Sequence, residues 1–230
     1  MPIEALFFDV GNTLLFPNRE RMLKSLHGKG VVPAEDLLQS IERRTKNEFD
    51  DLMENHRSVD HGFWWMFYSR LLHELNFFDE ATCAELVANT QVSANWCDIR
   101  PGTRDALLRL RDQYRLAVIS NADGKIADVL EHCGIADCFE TITDSGIVGK
   151  EKPHRLIFES ALQSLNVEPQ NSLYTGDVYS VDYLGATSAS MECVLFDVAG
   201  AYRDRDLPRV QSLEELELLL QRRRLQTASS

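Results

Sequence analysis

Ala5-Leu6-Phe7-Phe8-Asp9-Val10-Gly11-Asn12-Thr13-Leu14-Leu15 is the stretch whose reading decides the fold of this 230-residue chain. Four apolar residues run straight into an aspartate, and small, turn-prone residues follow at once. Such a run reads as a strand buried on both faces, as in a parallel sheet, that stops abruptly. Open α/β sheets place their ligand sites just beyond strand ends of this kind. A carboxylate there is costly to bury unless a cation stands beside it, so Asp9 requires a partner from elsewhere in the chain.

Phe16-Pro17-Asn18 breaks the pattern, and from about Arg19 to Trp96 the periodicity is helical. Met22, Leu23 and Leu26 share one face, Leu37, Leu38 and Ile41 begin another helix after Pro33, and residues 63–75 and 80–88 give two more. The aromatic stripe Phe63, Trp64, Trp65, Phe67, Tyr68 reads as the core of a small helical bundle, with the wall of a substrate cleft as the alternative. His56, Arg57 and His61 fall near a turn, where they either reach a substrate or are simply solvated.

At Ile99-Arg100-Pro101-Gly102 the style switches to alternation: helix 103–112, strand 115–121, helix 125–133, strand 139–143, helix 154–165, strand 172–175, helix 181–188 and strand 192–196. A terminal helix over 212–221 carries Ser212 and Glu215 as a capping box and an arginine cluster, 222–224, at its C-terminal dipole, before a frayed tail from Thr227. This predicts the α/β class, a doubly wound parallel sheet. The core is assembled from residues 1–16 and 99–230, with an all-helical cap, 17–98, inserted on two hinge strands near Phe16-Pro17 and Asp98-Pro101.

A formal charge of −12 argues against nucleic acid or an anionic membrane as the main partner, because both reward basic patches. It leaves room for a small anionic substrate, since a metal ion reverses the local field. Five cysteines without a CxxC pair read as reduced thiols. No apolar run reaches membrane-spanning length, and the N-terminus opens on the first strand, so a cytoplasmic location is expected.

The residues at or just past the strand ends are Asp9, Ser120, Lys152 after a loop, Asp177 and Asp182. Carboxylates, one hydroxyl and one lysine along one sheet edge are what phosphoryl transfer to a protein carboxylate needs: a nucleophile, a metal bridging it to the phosphoryl group, and donors for the other oxygens. Asp177 after Gly176 could equally cap the next helix, and Asp182 could complement its dipole.

In these residues the chain resembles the haloacid dehalogenase superfamily, in the branch with a helical cap after the first motif. The resemblance spans about residues 4–200 through four motifs in order: Phe8-Asp9-Val10-Gly11-Asn12-Thr13, Ala117-Val118-Ile119-Ser120-Asn121, Lys152-Pro153, and Gly176-Asp177-Val178-Tyr179-Ser180-Val181-Asp182. It implies that Asp9 is the nucleophile and a magnesium ligand, with the Gly11 carbonyl and Asp177 as further ligands. Ser120, Asn121 and Lys152 would bind the phosphoryl group, and Asp182 would support the metal loop or Lys152. Hard oxygen ligands suit Mg²⁺, and a small phosphorylated metabolite would be the substrate.

One position departs from that pattern. The family's phosphatases carry a second aspartate two residues after the nucleophile as general acid and base, and here it is Gly11. Acid–base help is worth roughly 10²–10⁴-fold. The expectation is a Mg²⁺-dependent phosphomonoesterase whose proton donor comes from elsewhere (His56, Asp60, His61 or Asn12), or whose leaving group needs less help. The alternatives are a binding protein without turnover and a metal-independent 2-haloacid dehalogenase; Gly176-Asp177 argues against the latter.

Overall fold

The computed structural model describes residues 3–55 and 62–228; His56, Arg57, Asp60 and His61 lie outside them. The first strand, β1 (Ala5–Phe8), leads into a short β2 (Leu15–Pro17). Five helices follow: α1 (Arg19–Met22), α2 (Lys24–His27), α3 (Glu35–Glu54), α4 (Gly62–Glu74) and α5 (Glu80–Gln91). The chain returns through β3 (Trp96–Ile99), which pairs antiparallel with β2.

Alternation then sets in with α6 (Thr103–Arg111), β4 (Arg115–Ser120), α7 (Ile126–His132), β5 (Thr141–Asp144), α8 (Ser145–Val148) and α9 (Arg155–Leu165). It closes with β6 (Ser172–Gly176), α10 (Leu184–Ser188), β7 (Glu192–Phe196), β8 (Arg209–Val210) and α11 (Leu213–Ala228).

Six of the strands form one parallel sheet in the order β5-β4-β1-β6-β7-β8. The period-2 alternation of strand side chains splits the core into two layers. Leu6, Phe8, Leu116, Val118, Leu173 and Val194 pack on one face, while Ala5, Phe7, Ala117, Ile119, Tyr174 and Cys193 pack on the other against Ile157, Phe158 and Ala161 of α9. All four residues of β1 are fully buried, which is why the strand reads as an unbroken apolar run. A separate apolar cluster lies among the inserted helices, built on Leu26, Ile41, Phe67, Tyr68, Leu71 and Leu86. The chain leaves β1 toward β4 and β5 on one side and reaches β6 on the other. The C-terminal ends of β1, β4 and β6 therefore flank a switch point, the position where such sheets bind ligands.

Several boundaries differ from the sequence reading. The helix read over 154–165 begins at Arg155, with His154 as its cap, Nδ1 accepting the Leu156 N–H at 3.2 Å. The expected helix over 181–188 is preceded by a π turn over Tyr179–Tyr183. Helix α3 runs for 20 residues, well past Ile41. Ser212 accepts the Glu215 N–H, but the Glu215 carboxylate reaches back to the Gln211 N–H, one residue earlier than a capping box requires. The helix it starts continues to Ala228, into the region read as a frayed tail. Among the described residues no helix is long and apolar enough to cross a membrane.

Candidate active site

Four strand ends in this sheet carry an aspartate, and two of them are structural. Asp144, ending β5, accepts the backbone N–H groups of Gly124, Ile126 and Gly146 at 2.8–3.1 Å. Asp197, after β7, accepts those of Ala201 and Tyr202. Asp9 and Asp177, after β1 and β6, have instead drawn ammonium groups. Lys152 Nζ donates to Asp9 Oδ1 at 2.6 Å, to Asp182 Oδ1 at 2.8 Å and to the Tyr174 hydroxyl at 2.8 Å. All three of its protons are thereby engaged. Asp177 Oδ2 accepts from Lys46 Nζ at 2.7 Å and from Asn12 Nδ2 at 3.2 Å.

The π turn explains how Asp182, only five residues beyond Asp177, comes to face Lys152. Its second oxygen closes the turn by accepting the Val178 N–H at 2.9 Å, while the first takes Lys152 and Tyr174. Single π turns recur at functional positions because they re-aim one side chain without ending the helix. Asp182 therefore does more than complement a helix dipole. The turn also demands glycine at 176, where a Cβ would stand 2.4 Å from Asp182 Cγ. Gly176→Ala is expected to lower thermal stability by several degrees and to displace Asp182, checked by a melting curve and by loss of phosphate release from an aryl phosphate.

Asp9, Asp177 and Asp182 each offer an oxygen within 4.8 Å of the others, and all three are buried. Burial raises the Asp9 carboxyl; the Lys152 ammonium opposes this, but the neighbouring Asp182 and Asp177 charges add to it, so Asp9 rises to about 7. Asp177 is raised by burial as well, against the pull of Lys46. Lys152 and Lys46 both rise because the surrounding carboxylates outweigh the cost of burying an ammonium. This cluster is short of positive charge. Three further hydroxyls nearby in the chain, those of Thr13, Thr175 and Ser180, are buried with no hydrogen-bond partner among the described residues. Clustered hard oxygens with excess negative charge fit a small divalent cation such as Mg²⁺.

Ser120 ends β4 and is buried. Beside it, the Asn121 amide is spent on the Lys152 backbone: Nδ2 donates to the Lys152 carbonyl at 3.0 Å and Oδ1 accepts the Lys152 N–H at 2.7 Å. Asn121 thus fixes where the lysine stands, whatever else its backbone contacts. Asp9, Gly11, Ser120, Asn121, Lys152, Asp177 and Asp182 all line one cavity of about 560 Å³. These seven residues read from the sequence are brought to one place, as is Asn12, while the candidate donors His56, Asp60 and His61 lie outside the described residues.

The sequence reading missed four participants. Lys46 is buried on α3, held between Asp177 and Glu42 at 2.9 Å. One turn further on, Asp50 accepts the Ser180 N–H and the Tyr202 hydroxyl, each at 2.9 Å. Glu42, Lys46 and Asp50 recur at i, i+4, which puts them on one face of α3, but in sequence such a stripe reads as a solvated, ion-paired face. Tyr174 reads in sequence as an ordinary core aromatic of β6. Trp96 stands over Gly11: a Cβ there would lie 3.3 Å from Trp96 Cζ3. The aromatic stripe of α4 divides between its two readings. Phe67 and Tyr68 are bundle core, while Phe63 and Trp64 line the cavity.

Residues 3–190 match the haloacid dehalogenase-like hydrolase family. A glyceraldehyde 3-phosphate phosphatase of Methanothermobacter thermautotrophicus is 37% identical over 108 residues, 46% of this chain and 48% of that protein, so the chain spans about half of this relative. The haloacid dehalogenase-like hydrolase domain-containing protein 3 of Bos taurus is 28% identical over 87% of this chain and 83% of its own length. The crystal structure of the HAD-hydrolase YfnB of Bacillus subtilis, bound to magnesium, superposes with a TM-score of 0.70 over 96% of this chain and 99% of that one, at 17% identity. With the parallel sheet, the strand-end aspartates and the family match in agreement, this chain is a hydrolase that belongs to the haloacid dehalogenase-like family.

Proposed function

We propose that the protein is a Mg²⁺-dependent phosphomonoesterase acting on a small phosphorylated metabolite through a phosphoaspartate at Asp9. The observation that carries this is Lys152 Nζ bridging Asp9 and Asp182 within a buried triad of carboxylates at the floor of a cavity. Lys152 holds Asp9 with one oxygen toward the ammonium, which orients the carboxylate and supplies positive charge for the incoming phosphoryl oxygens. Ser120 is the hydroxyl donor on the adjacent strand end. Tyr174 and Asn121 keep Lys152 in place through its ammonium and its backbone. Asp9, Asp177 and the Gly11 carbonyl would hold the metal, which when bound offsets phosphoryl charge as a Lewis acid. Helices 17–98 act as a cap that excludes bulk water, with β2 and β3 as its hinge. The named phosphatase among the relatives supports the reaction class.

The test is release of orthophosphate from 4-nitrophenyl phosphate. Turnover is expected with Mg²⁺, lost with EDTA and restored by added Mg²⁺; Mg²⁺ should also raise the melting temperature, as any ligand of the folded state does. Turnover that persists through complete metal removal would sink the metal assignment. Metal-independent halide release from 2-chloropropionate would replace phosphatase by dehalogenase chemistry.

A further inference from the structure

Breaking a P–O–C ester requires the departing oxygen to carry away a bonding pair. An alkanol holds its proton roughly as tightly as water does, so an alkoxide leaves well only if it is protonated as it goes. A phenol titrates near 10, and a phenolate leaves without help. Whether the site holds a proton donor therefore selects the class of ester it can cleave.

Among the described residues no acidic group free to give up a proton faces the nucleophile: the Ser120 hydroxyl is no more acidic than the leaving alkanol, and the Asn12 amide donates to Asp177 at 3.2 Å. Gly11 has no side chain, and above it lies the carbon edge of the Trp96 ring. The indole N–H is turned away and donates to the Thr90 carbonyl at 2.8 Å. The protons of Lys152 are all engaged by Asp9, Asp182 and Tyr174. Asp177 is tied to Lys46 and Asn12, and Asp182 to Lys152, Tyr174 and the Val178 N–H. Asp123, across the cavity, accepts the Ser93 hydroxyl at 2.6 Å. Burial alone would raise its carboxyl, but that bond and nearby backbone N–H groups hold it below the usual range, so it carries no proton at neutral pH. Glu151 stands exposed to solvent.

In place of a donor the site has rings. Trp96 packs against Trp64 at 5.5 Å between centroids, Trp64 against Phe63 at 5.0 Å, and Phe63 against Phe49 at 5.5 Å. All four line the cavity above Asp9. Such a wall offers faces and edges to a flat aromatic guest.

We propose that the substrates are aryl phosphate monoesters, whose leaving oxygen departs as an aryloxide against the wall of Trp96 and Trp64. This rests on the phosphatase reading above. An Asp9 oxygen bonds to phosphorus as the phosphorus–aryloxide bond breaks; the bonding pair stays on the aryl oxygen, which takes a proton from water after release. A water molecule then attacks the same phosphorus, the bond to Asp9 breaks, the carboxylate is regenerated, and the protons of that water pass to orthophosphate and solvent.

The experiment compares phenyl phosphates of graded phenol acidity with benzyl phosphate and glycerol phosphate, all with Mg²⁺. Benzyl phosphate keeps the ring and changes only the leaving oxygen. The expected result is a steep rise of kcat/KM with phenol acidity and a deficit of at least about 100-fold for benzyl against phenyl phosphate, the lower end of what a general acid supplies. Trp96→Ala should raise KM for phenyl phosphates more than for glycerol phosphate. A flat dependence, or benzyl phosphate within tenfold of phenyl phosphate, overturns the inference and leaves the phosphatase reading standing. So does a shallow dependence that steepens in His56→Ala or His61→Ala, which would place a donor in residues 56–61. No phosphate from any ester overturns the phosphatase reading, and this inference with it.

Discussion

Asp9→Asn is expected to abolish phosphate release while making the metal-free protein more stable above neutral pH. The first half follows from the nucleophile: an amide attacks phosphorus far more weakly than a carboxylate, so a loss of at least about 10⁴-fold in kcat is expected, of the order found when a nucleophile is removed elsewhere. The second half follows from charge. The Asp9 carboxyl ordinarily titrates near 3.8, and in the folded protein near 7, because burial and the Asp182 and Asp177 charges outweigh Lys152. Between those values the folded state binds a proton that the unfolded chain has already lost. Stability therefore falls as pH rises from about 4 to about 7 and stays at the lower level above it. The gap corresponds to a few kcal/mol on the order-of-magnitude scale. Asparagine carries no charge and removes this slope. Melting temperatures of parent and D9N without metal, from about pH 4 to pH 8.5, check it; the curves should lie close together at the acidic end and separate progressively, with D9N higher, up to about pH 7. A D9N protein that melts below the parent at pH 8 would show that the Lys152 bond outweighs the repulsion.

Lys46→Met is expected to cost stability in the same pH range where Asp9→Asn gains it. Met keeps most of the volume of the chain but leaves Asp177 facing Asp9 and Asp182 without its cation, and leaves Glu42 unpaired. Removing one partner of a buried ion pair typically costs about 3–5 kcal/mol, and for a chain of this length each kcal/mol moves the melting temperature by roughly 2–4 °C. A fall of about 10 °C at pH 8 is expected. Pairing it with Asp177→Asn should recover part of the loss, because the charge left stranded is then gone; a double-mutant cycle reads the coupling directly. Additive losses would mean that Lys46 acts by packing alone.

The residues recovered from sequence are those whose position in the chain announces itself. Asp9, Ser120 and Asp177 sit where an apolar run stops, and Lys152 precedes a proline at a loop end, so alternation alone places them on one edge. What stayed hidden depends on tertiary closure. Lys46 belongs to a helix whose visible apolar face ended at Ile41, and its charge is buried only because Asp177 meets it across 131 residues of chain. Tyr174 alternates correctly for a core residue, and nothing in β6 reveals that its hydroxyl faces Lys152. In sequence Trp96 marks the end of the helical region; its ring over Gly11 is set by the pairing of β3 with β2. The π turn at 179–183 has no sequence pattern of its own; it aims Asp182 at Lys152, a contact that the resemblance implies and the periodicity does not show.

Four residues of helix α3 make polar contacts with the turns that follow β6 and β7: Arg43 with the Ala199 carbonyl, Lys46 with Asp177, Asp50 with Ser180 and Tyr202, and Glu54 with Arg205. Their spacing of three to four residues puts them on a single line along the helix. Turning the helix by one residue rotates that line by about 100° and breaks every contact at once. Sliding it by one turn, about 5.4 Å, would set the Lys46 ammonium against the Ser180 N–H, donor against donor, and would take from the Tyr202 hydroxyl the carboxylate it donates to. No partial register satisfies this seam, so α3 has one seated position on the sheet, and any departure from it is a complete detachment rather than a glide.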